Sequence, residues 1–390
     1  MRVFILAGEI SGDKLGGALM QGLKDLLPDQ AIDYRGIGGP MMQAQGLHSL
    51  FPMEELSVMG LVEILSQYRH LNARVHQTAQ AVLDMQPDVL ITIDAPEFSL
   101  RVAKLVKAKS DIRTVHYVAP TVWAWRSGRA RKMAAHIDQV LALLPFEPPL
   151  IEAEGMRCDF VGHPIAAEPV ASATECQEFR QEHGLVGQPS LLVLPGSRRG
   201  EISRLMPIFK EVVDRLHGDC PDLRVVIPTV AHLAQEVRAA ASDWKGAPVI
   251  VDPSGLSDGQ AAQQKRAAFA AADAALAASG TVSLELAAAA TPMVVAYDMN
   301  WFSRTLVMKM LLVDTVTLVN LVSETRRVPE FIGAACQPAP IAAAMSKVLR
   351  DPDAQRPALD ETMNRLGRVG LAPGRRAARA VLDGLGASSL

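Results

Sequence analysis

Short apolar runs rich in β-branched residues recur along the chain at Arg2–Ala7, Val89–Ile93, Arg113–Val118, Val140–Leu143, Leu191–Leu194, Arg224–Ile227 and Met293–Ala296, with longer helical patterns between them. Apolar runs of this length without polar alternation suit strands buried on both faces, and strand–helix alternation builds parallel sheets from βαβ units. At 390 residues the chain exceeds one ordinary core, so two α/β domains with a cleft are expected. Residues 165–172 lose the periodicity and carry Pro169, which makes them the interdomain linker, and a new βα series starts near Ser190. The expected division is 1–168, 169–357 and a closing segment, 358–390, returning toward the amino-terminal domain. Its helical pattern, Leu359 to Leu385, is broken by Gly370 and by Pro373-Gly374, and the Ala-rich tract Ala267–Ala278 reads as a tightly packed helix.

Composition excludes several classes. Hydrophobic residues make up 49% of the chain, yet no uncharged apolar run reaches the roughly 18 residues a membrane span needs. The first strand starts at Arg2 and breaks at Gly8, which leaves no room for a signal-peptide core, so cytoplasmic residence is expected. The four cysteines lack Cys-x-x-Cys spacing and the nine histidines include no metal-binding pair, so neither a disulfide framework nor a metal centre is expected. A net charge of −3 gives no overall attraction to nucleic acid.

Chemistry concentrates in loops that follow strands. Leu194-Pro195-Gly196-Ser197-Arg198-Arg199-Gly200-Glu201-Ile202 leads from an apolar strand through a Gly-rich, arginine-bearing turn into a helix. Amides at a helix start and a guanidinium fork suit a diphosphate; an ordinary loop with a surface arginine is the plain alternative. Ser279-Gly280-Thr281 opens another helix with Glu285 one turn inside, where it can accept from ribose hydroxyls or simply favour the helix dipole. Asp94 ends the run Val89–Ile93, a place for a general base or for a cap on a helix starting near Pro96. Trp123 and Trp125 beside Arg126, Arg129, Arg131 and Lys132 suit a sugar face next to a phosphate, or a core pair followed by a basic helix.

Two glycine-rich loops fail as nucleotide fingerprints. Gly8-Glu9-Ile10-Ser11-Gly12-Asp13-Lys14 has its glycines too close for a P-loop and Leu15 where a hydroxyl belongs. Gly36-Ile37-Gly38-Gly39-Pro40 has Met41 in place of the third dinucleotide-site glycine. Both read as loops bordering a cleft, with Glu9, Ser11 and Asp13 either facing it or capping the next helix. Leu61, Ile64, Leu65, Tyr68 and Leu71 form one apolar helical stripe, which fits core packing or a membrane-surface helix.

In order, GEISGD (8–13), GIGGPMM (36–42), VMGLVEIL (58–65), IDAPEF (93–98), HYVAPTVWAWR (116–126), LPFEP (144–148), VGHP (161–164), LPGSRRGEI (194–202), ASGTVSLELA (278–287) and MVVAYDM (293–299) resemble the lipid-A-disaccharide synthase family from Gly8 to at least Glu330. The resemblance implies a GT-B architecture, two Rossmann-like parallel-sheet domains facing across a cleft, with an amino-terminal acceptor and membrane-side domain and a carboxy-terminal UDP-sugar domain. It implies an inverting glycosyl transfer from UDP-2,3-diacylglucosamine to 2,3-diacylglucosamine 1-phosphate, giving the β-1,6-linked disaccharide 1-phosphate and UDP, with no cofactor. Residue by residue, the family's essential aspartate falls on Asp94 and its essential arginine on Arg198. Glu285 and Asn320 match positions associated with the nucleotide; Gly196, Ser197, Ser279, Gly280 and Thr281, at the two helix starts, are expected to stabilise the diphosphate charge of UDP, and Glu9, Ser11, Gly12, Asp13, Trp123 and Arg126 are assigned to the acceptor side of the cleft. The resemblance also implies peripheral association with the cytoplasmic face of the inner membrane, which favours a membrane role for Leu61–Leu71, and it is compatible with a homodimer. Val319 replaces the family's usual proline before Asn320, and Glu97 stands where some relatives carry aspartate. Rival readings are a GT-B enzyme on a soluble UDP-sugar, such as a UDP-N-acetylglucosamine 2-epimerase, and a non-enzymatic lipid or nucleotide carrier.

Overall fold

The computed structural model describes residues 1–56, 61–121, 128–299 and 313–386, the side chains of 61–68 excepted. The chain divides into two compact units, Met1–Ala167 with Leu366–Leu390, and Glu168–Arg365. Each is a parallel sheet with helices, so the fold is two-domain α/β.

The first unit holds seven strands: β1 (Arg2–Ala7), β2 (Asp33–Ile37), β3 (His48–Ser49), β4 (Val89–Ile93), β5 (Arg113–Tyr117), β6 (Gln139–Ala142) and β7 (Arg157–Phe160). Their order is β3-β2-β1-β4-β5-β6-β7, so the winding reverses between β1 and β4. Ala7 pairs with Ile93 there, which puts Gly8 and Asp94 side by side just past the carboxyl ends. A topological switch point of this kind is where open α/β sheets bind ligands. Phe4, Ile5 and Leu6 are fully buried, each contributing about 1.5–3 kcal/mol through apolar burial. The last helix, Pro373–Gly384, packs on Ile10–Leu26 through small residues. A Cβ on Gly22 would lie 2.7 Å from the Gly374 carbonyl, and one on Gly374 would lie 2.6 Å from that of Ala18. Any larger residue at either glycine would force these backbones apart.

The second unit holds β8 (Ser190–Leu194), β9 (Arg224–Pro228), β10 (Val249–Val251), β11 (Ala274–Ala277), β12 (Met293–Tyr297) and β13 (Glu330–Ile332), ordered β10-β9-β8-β11-β12-β13. Its switch point lies between β8 and β11, where the Pro195–Arg198 and Ser279–Thr281 loops begin. Asp273 fixes that pair by accepting from the Ser190 amide at 2.7 Å and its hydroxyl at 2.9 Å.

The expectation of one helix over Ala267–Ala278 is corrected. The helix ends at Ala271, and Ala274–Ala277 form a fully buried central strand. Alanine favours helix in isolation, but a slot between β8 and β12 that is closed on both faces accepts small side chains, and tertiary pairing overrides propensity. The helical pattern Leu359–Leu385 is likewise two helices, Arg356–Arg365 in the second unit and Pro373–Gly384 in the first. No helix among the described residues is long and apolar enough to cross a membrane.

Candidate functional site

At the second unit's switch point lies a cavity of about 900 Å³. Gly196, Ser197, Arg198, Ser279, Gly280, Thr281 and Glu285 all line it, so two loops separated by about eighty residues in sequence meet in one place. Parallel pairing of β8 with β11 is what brings them together. Gly196 carries φ +108°, and a Cβ there would lie 2.3 Å from Glu201 Oε2; the position needs glycine for both backbone and space. Arg198 is the N-cap of helix Arg199–Asp219, and its side chain, 78% exposed, pairs with Glu201 at 3.0 Å, an exposed ion pair that a ligand can replace at modest cost. Glu285 is held by Lys265 Nζ at 2.6 Å, and Lys265 also lies over the Phe269 ring at 5.3 Å. Phe269, Val251, Pro253 and Leu256 add an apolar wall. Amides, a guanidinium and a carboxylate beside an apolar wall can take an anionic tail, a hydroxylated ring and a flat base.

Sequence reasoning did not single out Glu201, Lys265 or Tyr297. Glu201 stands at the third helical position after a Gly-Ser-Arg turn, and Tyr297 ends β12; such strand-end and first-turn positions were the available signal. Asn320 lies elsewhere. It is 1% exposed, its side-chain amide donates to the Val328 carbonyl at 2.9 Å, and its Oδ1 accepts from the Val328 amide at 3.0 Å. Asn320 therefore fixes the approach to β13 and does not line the cavity.

In the first unit, Asp94 and Ala95 both have left-handed backbones, φ +47° and +44°, and Val118 past β5 has φ +83°. Non-glycine residues in this region cost on the order of 1–3 kcal/mol each and concentrate at functional sites. The turn is clamped by the Asp94 amide donating to the Tyr117 carbonyl at 3.0 Å. Asp94 is half-buried, and burial raises its carboxyl above the ordinary value, opposed by the Ala95 amide. It does not cap the helix Pro96–Lys107, whose N-cap is Ala95. A strand-end carboxylate of raised basicity on a strained, clamped turn is suited to accepting a proton.

The other first-unit candidates divide. Glu9 and Ser11 are exposed at the start of helix Ile10–Leu26, and Gly12 is packed against Ala7 and Ile93. Asp13 is buried, where it accepts from the Gly39, Met41 and Met42 amides at 2.9–3.0 Å. Its carboxylate is fully used in starting helix Pro40–Gln43. Trp123 and Arg126, and the side chains of Leu61, Ile64, Leu65 and Tyr68, lie outside the described residues; Leu71 is half-buried.

Comparison with known proteins places this geometry. Residues 3–372 match the family model described as lipid-A-disaccharide synthetase. The chain is 62% identical to the lipid-A-disaccharide synthase of Ruegeria pomeroyi over 99% of its own length and 96% of that protein's. It is 45% identical to that of Rhodospirillum centenum over 98% and 94%. Among solved structures it resembles the UDP-GlcNAc 2-epimerase from Neisseria meningitidis bound to UDP-GlcNAc, with TM-score 0.64, 12% identity and full coverage of both chains. It also resembles a putative UDP-N-acetylglucosamine 2-epimerase from Listeria monocytogenes, with TM-score 0.64, 14% identity and coverage of 100% and 97%. At such identities the epimerases share the fold alone. The match runs through both units and nearly the full length of these relatives, and it decides the assignment: the chain belongs to the lipid-A-disaccharide synthase family.

Proposed function

We propose that the second-unit cavity binds the UDP portion of UDP-2,3-diacylglucosamine and that Asp94 is the general base for transfer to 2,3-diacylglucosamine 1-phosphate. The observation that carries this reading is the convergence of the Gly196–Arg198 turn, the Ser279–Thr281 turn and Glu285 on one cavity. Arg198 and the loop amides meet the diphosphate, Glu285 the ribose, and the apolar wall the base. Asp94 takes the proton of the acceptor 6-hydroxyl while that oxygen attacks the anomeric carbon. The bond from that carbon to the diphosphate oxygen breaks on the opposite face, configuration inverts, and UDP leaves with its charge held by Arg198.

The acyl chains need an apolar surface. Ile10 is 74% and Met41 51% exposed, and Met41 packs beside Gly17 on the helix that begins at Ile10. These side chains flank the carboxyl end of β1 and support acyl-chain contact at the cytoplasmic face of the inner membrane, with the protein bound peripherally.

The test is incubation of the purified chain with both acylated sugars, followed by mass measurement of the product. A disaccharide 1-phosphate formed with stoichiometric UDP is expected. UDP release without disaccharide, or isomerisation of a soluble UDP-sugar, would overturn the reading.

A further inference from the structure

The anion donors of the Gly196–Arg198 turn are already occupied by a side chain of the protein itself. Glu201 Oε2 accepts from the Ser197 amide at 3.1 Å and the Arg198 amide at 3.3 Å. Its Oε1 accepts from Arg198 Nη1 at 3.0 Å and from the Tyr297 hydroxyl at 3.4 Å. Two amides, a guanidinium and a phenol gathered on two anionic oxygens are the donor set with which proteins hold phosphate. Glu201 also lines the cavity, and its side chain is only 15% exposed.

A glutamate at the third helical position that accepts from the N-cap amide is the ordinary capping box. That accounts for the Arg198 amide. It does not account for the Ser197 amide, the guanidinium or the Tyr297 hydroxyl, which comes from another strand. Nor does it account for a glycine whose missing Cβ leaves room for the folded-back carboxylate, 2.3 Å from Oε2.

Resting on the UDP reading of this cavity, we propose that Glu201 is a resident anion that holds the phosphate loop in the nucleotide-free protein and yields its donors to the incoming diphosphate. The exchange replaces one anion by another, so the loop keeps its shape while the nucleotide loses part of its binding energy in expelling Glu201. The consequence is weaker holding of UDP than the donor set would give if empty. Such weakening favours turnover, because tight holding of donor and product alike would slow release without speeding chemistry.

The experiment is calorimetric titration of the full chain with UDP, for wild type, Glu201→Gln, Glu201→Ala and Arg198→Ala. Removing the competing charge should tighten UDP binding by roughly five- to tenfold in at least one Glu201 variant. In that variant the thermal shift produced by saturating UDP should grow, whatever happens to the nucleotide-free Tm. If neither Glu201 variant binds UDP more tightly than wild type, Glu201 only shapes the loop and the proposal is overturned. Arg198→Ala answers a separate question: unchanged UDP affinity in that variant would remove the UDP reading itself, independently of the Glu201 result.

Discussion

Gly8 and Ala95 meet across the switch point of the first sheet: a Cβ on Gly8 would lie 2.8 Å from the Ala95 Cβ. The left-handed turn at Asp94 and Ala95 fits only because the residue that follows β1, Gly8, has no side chain. Gly8→Ala should force the turn outward, at a cost of about 1–3 kcal/mol from overpacking. The expected outcome is a Tm several degrees lower and a kcat reduced more than UDP affinity. An unchanged kcat in a folded Gly8→Ala protein would show that the turn's position is not critical.

The pH profile follows from Asp94. The carboxylate must be ionised to accept a proton, and burial raises its pKa, so activity is lost as pH falls through a value above the ordinary carboxylate one. The acid limb of kcat/KM should therefore lie above about 3.9, the value for a free aspartate. A limb at or below that value would remove Asp94 from the role of base.

Stability should also fall in acid, for a different reason. His116 is buried beneath the sheet's carboxyl end, hydrogen-bonded to Thr92 at 2.8 Å, and burial, assisted by His136, lowers it to about 4. His163 is lowered to about 4 by burial. Between about 6.5 and 4 the unfolded chain binds more protons than the folded one. Stability present above about 6.5 is thus lost toward pH 4, with a slope of about 1.4 kcal/mol per pH unit for each histidine. Denaturant melts across this range should show that slope, and His116→Gln should reduce it; a flat profile in wild type would contradict the burial argument.

Asn320 bridges the Val328 amide and carbonyl with both ends of its side chain. Asn320→Ala leaves two buried backbone groups unpaired and should lower the stability of the second unit by about 1–3 kcal/mol each, before any nucleotide is added. Differential scanning calorimetry of the nucleotide-free protein checks this, and an unchanged Tm would show that the bridge is not needed for folding.

Much of this architecture was legible because buried parallel strands write themselves as uninterrupted apolar runs. Arg2–Ala7 and Val89–Ile93 coincide with β1 and β4, and Leu191–Leu194 and Met293–Ala296 fall within β8 and β12. Ala274–Ala277 was not legible, because alanine carries no strand preference of its own and only pairing with β8 and β12 makes it a strand. β3, β10 and β13, of two or three residues, are too short to show any period. For the site, strand-end position pointed to the Gly196 turn, which lines the cavity, and to Asp94, which lies on a left-handed turn. The inward turn of Asp13 and the folded-back Glu201 depend on amides contributed by other parts of a loop, which no spacing rule specifies.

The central claim is that Asp94 performs the proton transfer while a separate nucleotide cavity in the second unit binds UDP, and Asp94→Asn tests it most directly. The rate of disaccharide formation and the Kd for UDP should be measured on the same preparation. The account predicts a loss in kcat of roughly a hundredfold to ten-thousandfold with UDP affinity unchanged. Near wild-type turnover in Asp94→Asn, or an equal loss of UDP binding, would contradict it.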